Sequence, residues 1–268
     1  MKSADEIKNI VKTKYGEIAR QGGTCCGPTG CGDTLGGTSF AEDYRGLDGY
    51  FPEADLGLGC GIPTEYAGIE SGQTVIDLGS GAGNDVFVVR ALVGPAGRVI
   101  GLDMVPDMVT KARANAAKLD YGNVEFHLGE IEDMPLEGGV ADVLVSNCVL
   151  NLVPDKQKAF AEIHRVLKPG GHFCVSDIVL EGELPAVLAE AAIAYAGCVA
   201  GALKKDEYMS TIAAAGFNDA AIRATRQVHL PEALLIEMLG VEEAAALKDS
   251  GFGIYSITVV GYKEPEAS

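Results

Sequence analysis

The sequence predicts a doubly wound α/β sheet followed by a smaller α+β region, and three observations carry that expectation. Between Gly72 and Ile178, short apolar runs alternate with stretches of helical periodicity. The first apolar run ends in a glycine-rich turn that opens directly into a helix pattern. At 268 residues, the chain is long enough for one large domain with an appendage. Residues 1–64 are read as an N-terminal helix and a Cys/Gly-rich segment, 65–180 as the sheet-building core, and 181–268 as a C-terminal capping domain.

Taken in order, MKSADEIKNIVKTKYGEIAR is a charged amphipathic helix pattern. It has no apolar centre or small-residue cleavage site, which argues against an export signal. TVIDLGSGAGND starts as a buried strand at Val75 and Ile76, then passes through Gly79, Gly81 and Gly83 into the helical spacing of DVFVVRALVG. GRVIGLDM is the second strand, VPDMVTKARANAAKL the next helix and NVEFHLGEI the third strand. ADVLVSNCVLNLV follows as the fourth strand, KQKAFAEIHRVLKPGG as a helix with terminal glycines, and HFCVSDIVL as the fifth strand. Units of this kind pair in parallel through right-handed crossovers. Beyond Glu181 come alanine-rich helices to Ala215, a strand in AAIRATRQVHL, a helix in PEALLIEML and a last strand in IYSITVVGYK.

Composition removes several classes of partner. The formal charge is -17, from 21 Lys and Arg against 38 Asp and Glu. Such a surface repels phosphate backbones and anionic lipid, so neither nucleic acid nor membrane is an expected partner. The apolar stretch from Ala186 to Leu203 is mostly alanine and contains Glu190, which suits a buried or lid-like helix better than a membrane span. The seven cysteines are an odd number in a chain without an export signal. They point to a reducing, cytoplasmic setting in which thiols bind soft ions or do chemistry.

The glycine turn lets backbone approach a ligand closely, and the helix beyond it offers N–H groups at its N-terminus. Its spacing, G-S-G-A-G, departs from the G-x-G-x-x-G of pyrophosphate binders. Asp77, two residues before the first glycine, suits an ammonium and a sulfonium better than two phosphates. Asp103, at the end of the second strand, can take both hydroxyls of a ribose. With VIDLGSGAGND, GLDM, GEIEDMPL and LKPGG in this order, residues 72–180 resemble the class I S-adenosylmethionine-dependent methyltransferases, whose fold is Rossmann-like. That resemblance implies S-adenosyl-L-methionine as methyl donor. It places Gly79, Gly81 and nearby backbone on the methionine portion, Asp103 on the ribose, and Met104 and Ile131 on the adenine faces. Glu132 or Glu130 would meet the adenine amino group, and Ser80 and Asn147 count among the contacts.

Cys60 in LGLGCGIP precedes the core, Cys148 in VSNCVLNL ends the fourth strand, and Cys198 in AIAYAGCVAGAL lies in the alanine-rich helix. In open α/β sheets the C-terminal strand edge is where ligands bind, which singles out Cys148. Cys174 alternates within the fifth strand and is read as a core thiol. The trio, together with the match from the N-terminal helix to YSITVVGYK, resembles the arsenite methyltransferases. The resemblance implies that Cys60, Cys148 and Cys198 hold trivalent arsenic as substrate, for arsenic detoxification. A related C-methyltransferase of a quinone-like molecule is the alternative. Soft, thiophilic arsenic is a natural partner for thiolates. No Lys or His neighbours any of the three cysteines in sequence, so what deprotonates them is left open.

The resemblance also implies Cys31, in the run QGGTCCGPTGCGD, as the redox partner of Cys60, with a thiol reductant such as thioredoxin or glutathione completing the cycle. Cys25 and Cys26 are a vicinal pair suited to capturing arsenic. A zinc site of Cys25, Cys26, Cys31 and Cys60 competes with this reading, although C-C-x4-C lacks the C-x2-C spacing that zinc favours. His127, His164, His172 and His229 have no acid partner at catalytic spacing and are read as ordinary surface or core residues.

Overall fold

The computed structural model describes residues 3–21, 42–183, 199, 201–229 and 232–266. The chain opens with α1 (Ala4–Gln21), held at its start by a reciprocal cap. The Ser3 hydroxyl accepts from the Glu6 N–H at 3.2 Å, and the Glu6 carboxylate accepts from the Ser3 N–H at 2.7 Å.

The core strands are β1 (Thr74–Leu78), β2 (Arg98–Asp103), β3 (Val124–Leu128), β4 (Ala141–Asn147) and β5 (Leu167–Glu181). Helices α2 (Asn84–Val93), α3 (Pro106–Lys118) and α4 (Lys156–Val166) follow β1, β2 and β4. Next come α5 (Lys205–Ala214), β6 (Ala221–Val228), α6 (Glu232–Leu239), α7 (Val241–Asp249) and β7 (Gly253–Tyr262). One seven-stranded sheet results, ordered β3-β2-β1-β4-β5-β7-β6. The first five strands pair in parallel, while β7 runs antiparallel to both β5 and β6. The two strands expected after Glu181 are present, and they extend the core sheet through β7.

Two strand boundaries differ from the sequence reading. β5 begins at Leu167, so LKPGG is strand rather than helix end. Pro169 falls where the β4–β5 register shifts, between the Ala141 and Val143 pairings, and its missing N–H is tolerated at such an irregularity. β4 stops at Asn147, well short of Val153, because Cys148 adopts φ 61. That left-handed conformation cannot continue a strand, and a 3-10 turn over Leu150–Leu152 follows.

Two-residue alternation splits the core between the two faces of the sheet. Ile76, Leu78, Ile100, Leu102 and Leu144 pack with Phe160 and Ile163 of α4 and with Tyr208 and Ile212 of α5. Val75, Val99, Val143 and Val145 pack with Phe87 and Val89 of α2 and with Val109 and Ala112 of α3. Full burial of each large side chain contributes roughly 1.5–3 kcal/mol. Between β1 and β4 the strand order reverses, which opens a crevice at the strands' C-terminal ends. Among the described residues no helix is long and apolar enough to cross a membrane.

Candidate active site

The crevice is a cleft floored by the turn after β1. Gly79 has φ 66, and a Cβ built there would lie 2.4 Å from Cγ2 of Val149, so only glycine fits. The N–H groups of Gly79 and Ser80 both donate to the Leu102 carbonyl, at 2.7 and 3.0 Å, which ties the turn to β2. Asp103 ties it a second time. Its Oδ2 accepts from the Gly81 N–H at 2.9 Å and its Oδ1 from the Val105 N–H at 2.8 Å. Burial pushes its carboxyl up to about 6 against the pull of these hydrogen bonds. The Met104 N–H also faces the carboxylate, which still leaves room for a ligand hydroxyl.

Met104, Ile131 and Glu132, the candidate adenine contacts, line the cleft, and α1 adds Lys8, Val11 and Tyr15 to its wall. Lys8 bridges Glu130 at 2.7 Å and Glu132 at 3.2 Å, while Lys12 pairs with Glu130 at 3.0 Å. The N-terminal helix is thereby fastened to the loop that carries both candidate adenine contacts. Arg20 adds an ion pair to Asp107 of α3.

The other end is polar and incompletely satisfied. Ser80 Oγ and Asn84 Oδ1 are buried without hydrogen-bond partners. Such groups suit a polar ligand, since leaving them unpaired costs about 1–3 kcal/mol each. Gly79, Ser80, Gly81, Asp103 and Asn147 all line the cleft; Asp77 does not. Asp77 is 2% exposed, and burial, with Asp85 and Asp103 adding like charge, holds its carboxyl well above the usual range. A carboxylate that does line the cleft is Asp85, in the first turn of α2. Burial raises it to about 6, although Tyr44 and Asn147 donate to it at 2.7 and 3.3 Å. The sequence reading missed both Tyr44 and Asp85. Asp85 carried a legible signal as an acid one residue inside a helix that follows a glycine turn, whereas Tyr44 carried none.

Cys60 and Cys148 share one buried cluster with Ile178, Leu180, Val199, Val228 and Ile254. Cys148 also lines the cleft, so the cluster lies at its edge. The Cys60 segment is clamped on every side. Asn147 Oδ1 accepts from the Cys60 N–H at 3.0 Å and from the Gly61 N–H at 3.3 Å, and its Nδ2 donates to the Gly61 carbonyl at 2.7 Å. The Cys60 carbonyl accepts from Ser256 Oγ at 2.6 Å and from Arg226 at 3.2 Å. A Cβ on Gly61 would lie 2.6 Å from Ser176 Oγ, so this seat requires glycine. On its own side, the Cys148 N–H donates to the Ser176 carbonyl at 2.7 Å.

Cys198, Cys31, Cys25 and Cys26 lie outside the described residues. Val199, the peptide neighbour of Cys198, packs in the cluster that holds Cys60 and Cys148. Cys174 is a core thiol that donates to the Pro63 carbonyl at 3.1 Å, and burial pushes it up to about 12. Among the described residues no group of three or more His, Cys, Asp or Glu could hold a metal ion. Of the histidines, His127 faces Glu125 at 3.6 Å, His172 bonds the Ala67 carbonyl at 2.6 Å and His164 packs on Phe217. None of these three lines the cleft.

A family model described as "Methyltransferase domain" matches residues 69–216. An arsenite methyltransferase of Halobacterium salinarum is 42% identical over 80% of this chain and 58% of its own length. One of Aquipseudomonas alcaligenes is 36% identical over 68% of this chain and 54% of its own. The chain thus spans somewhat more than half the length of these curated relatives. The crystal structure of an arsenic(III) S-adenosylmethionine methyltransferase from Chlamydomonas reinhardtii superposes with a TM-score of 0.66. It is 35% identical and covers 78% of this chain and 69% of that one. The chain belongs to the methyltransferase-domain proteins and, within them, to the arsenite methyltransferase family.

Proposed function

We propose that this chain transfers methyl groups from S-adenosylmethionine to trivalent arsenic held by the thiolates of Cys60, Cys148 and Cys198. The observation that carries this reading is the meeting of Cys60 and Cys148, far apart in sequence, in one buried cluster at the edge of the cleft. Val199 in the same cluster supports Cys198 as the third thiol.

The unpartnered Ser80 and Asn84, the Gly79–Gly83 turn and the buried carboxylates of Asp85 and Asp103 fit the methyl donor, which carries an ammonium, a sulfonium and a ribose. Ser80, Gly81 and Asp85 would hold its amino-acid end, Asp103 the ribose, Met104 and Ile131 the adenine faces, and Glu132 the adenine edge. Once bound, the donor supplies an electrophilic methyl group. Arsenic held by three sulfurs is pyramidal, and its lone pair points away from them. That lone pair attacks the methyl carbon, so orientation supplies most of the rate and little acid or base help is needed.

Methyl transfer takes arsenic from trivalent to pentavalent, and two electrons must return it. Cys31 and Cys60 supply them by closing a disulfide, which an external dithiol or glutathione reopens.

The decisive experiment incubates purified protein with arsenite, labelled S-adenosylmethionine and a thiol reductant, then separates the arsenic species. Labelled methylarsenicals are expected. Label appearing in a quinol and in no arsenical would replace this reading with the C-methyltransferase alternative.

A further inference from the structure

Two buried tyrosines each hold an aspartate. Tyr208 of α5 donates to Asp177 of β5 at 3.2 Å and packs in the core cluster of Phe160 and Ile163. Tyr44 donates to Asp85 Oδ1 at 2.7 Å on the cleft wall, and it also reaches the segment that carries Cys60. Its hydroxyl lies 3.1 Å from the Gly61 carbonyl oxygen. The Asn147 Nδ2 repeats the pattern, at 2.7 Å from the same carbonyl, 2.8 Å from the Tyr44 oxygen and 3.3 Å from Asp85 Oδ2.

The hydrogens do not suffice for these contacts. A phenol carries one and a primary amide two, whereas five contacts draw on them, two from Tyr44 and three from Asn147. The Tyr44 hydrogen therefore points either at Asp85 or at Gly61, and the shorter distance favours Asp85. Tyr44 is 4% exposed and Asp85 8%, so bulk water does little to relieve the competition. The Cys60 segment is pressed against its neighbours from both sides. A Cβ on Gly59 would lie 2.5 Å from Asn147 Nδ2, and one on Gly61 2.6 Å from Ser176 Oγ. A change in what holds the Gly61 carbonyl thus acts one residue away from the Cys60 thiol.

We propose that Tyr44 is a positioning residue that couples the donor's amino-acid end to the Cys60 segment, so that donor and arsenic each tighten the binding of the other. Without donor, Asp85 draws the Tyr44 hydrogen. An ammonium brings three hydrogens of its own to Asp85. The Tyr44 hydrogen then turns to the Gly61 carbonyl, and the Asn147 hydrogen that reached Asp85 is freed for the same segment. Rotation of one O–H bond is enough, because the Tyr44 oxygen already stands at hydrogen-bonding distance from both acceptors. The loop beside Cys60 is held more firmly with donor bound, which preorganises its thiol for arsenic. Reciprocity requires arsenic to tighten the donor by the same factor.

The inference rests on the arsenite reading and on the donor's ammonium lying at Asp85, and its test separates these. Arsenite is titrated into reduced full-length protein, with the arsenic–thiolate absorbance as signal, alone and with saturating S-adenosylhomocysteine. That ligand keeps the ammonium and has no methyl group to transfer. Wild-type affinity for arsenite should rise by about tenfold when it is present. 5′-Methylthioadenosine, which has the nucleoside and no ammonium, should leave arsenite affinity unchanged. Tyr44→Phe removes only the hydroxyl, and Asn147 still holds the Gly61 carbonyl. Arsenite alone should therefore bind this variant much as it binds wild type, while the tightening by S-adenosylhomocysteine disappears. A merely structural tyrosine would weaken both affinities and leave their ratio intact. If Tyr44→Phe does not fold, the two nucleosides decide the matter in wild type, and equal effects of both overturn the coupling. No tightening in wild type, or wild-type tightening in folded Tyr44→Phe, overturns the inference and leaves the arsenite reading standing. Protein that binds arsenite and no S-adenosylhomocysteine removes the donor placement and the coupling with it. Protein that takes up no arsenite overturns the arsenite reading as well.

Discussion

Asn147 joins the two described thiols physically: its side-chain oxygen accepts from the Cys60 N–H at 3.0 Å, while its own carbonyl carbon is bonded to the nitrogen of Cys148. Its Nδ2 also donates to Tyr44 at 2.8 Å and to Asp85 at 3.3 Å. One side chain therefore connects the thiol cluster to the acidic wall of the cleft. The sequence reading assigned Asn147 to the donor only, yet most of its hydrogen-bonding capacity goes to the Cys60–Gly61 segment.

Asn147→Ala should therefore damage arsenic binding more than donor binding. Removing the amide leaves the N–H groups of Cys60 and Gly61 without the oxygen that accepts from both, at about 1–3 kcal/mol each. We expect arsenite affinity to fall by at least about tenfold, with S-adenosylmethionine affinity changed less. Titrations of both ligands by calorimetry would check this, and an equal loss for both would mean that Asn147 serves the donor.

Asp103→Ala should act in the opposite sense. Asp103 braces the glycine turn through Gly81 and would also receive the ribose hydroxyls. Charge-assisted bonds of this type contribute roughly 1.5–3 kcal/mol, so donor affinity should drop by about 10- to 150-fold. Arsenite titration should stay near wild type, since the side chain of Asp103 is bonded to the N–H groups of Gly81 and Val105 rather than to the Cys60 segment. Unchanged donor affinity would point to a different ligand for the cleft.

The contrast between these two residues shows what a sequence can carry. The place of Asp103 was legible because the end of the strand that follows a glycine turn opens on the cleft. The alternating strands and the cleft that they open were legible for the same reason, since local periodicity encodes them. Asn147's clamp was not, because it depends on where the irregular segment around Cys60 comes to rest, some 87 residues away in the chain. The Asp177–Tyr208 pair was hidden likewise: each residue reads as part of an ordinary strand or helix until packing brings α5 against β5.

Stability should fall as pH rises from about 4 to about 7. Asp85, Asp103 and Asp177 all have folded values raised by burial, to about 6, 6 and 7, against an unfolded value near 3.9. The folded state therefore holds more protons in that window, and the stability present below pH 4 is lost as each group ionises. Asp177 alone accounts for up to ~4 kcal/mol. Asp177→Asn should flatten the dependence, with its melting temperature gaining on wild type between pH 5 and pH 8. A wild type that becomes more stable over this range would contradict these assignments.

Donor binding should show the reverse slope. S-adenosylmethionine is cationic, so it favours the ionised forms of Asp85 and Asp103, both raised to about 6 by burial in the ligand-free protein. Binding must then release protons below that value. Affinity should strengthen from pH 5 toward pH 7, by about tenfold per pH unit for each group that has to ionise, and level off above it. Calorimetry in buffers of different ionisation enthalpy would count the released protons directly. Asp85→Asn should remove part of the release while leaving the part that belongs to Asp103. Affinity independent of pH between 5 and 7, with no proton release, would mean that neither carboxylate faces the donor's positive charge.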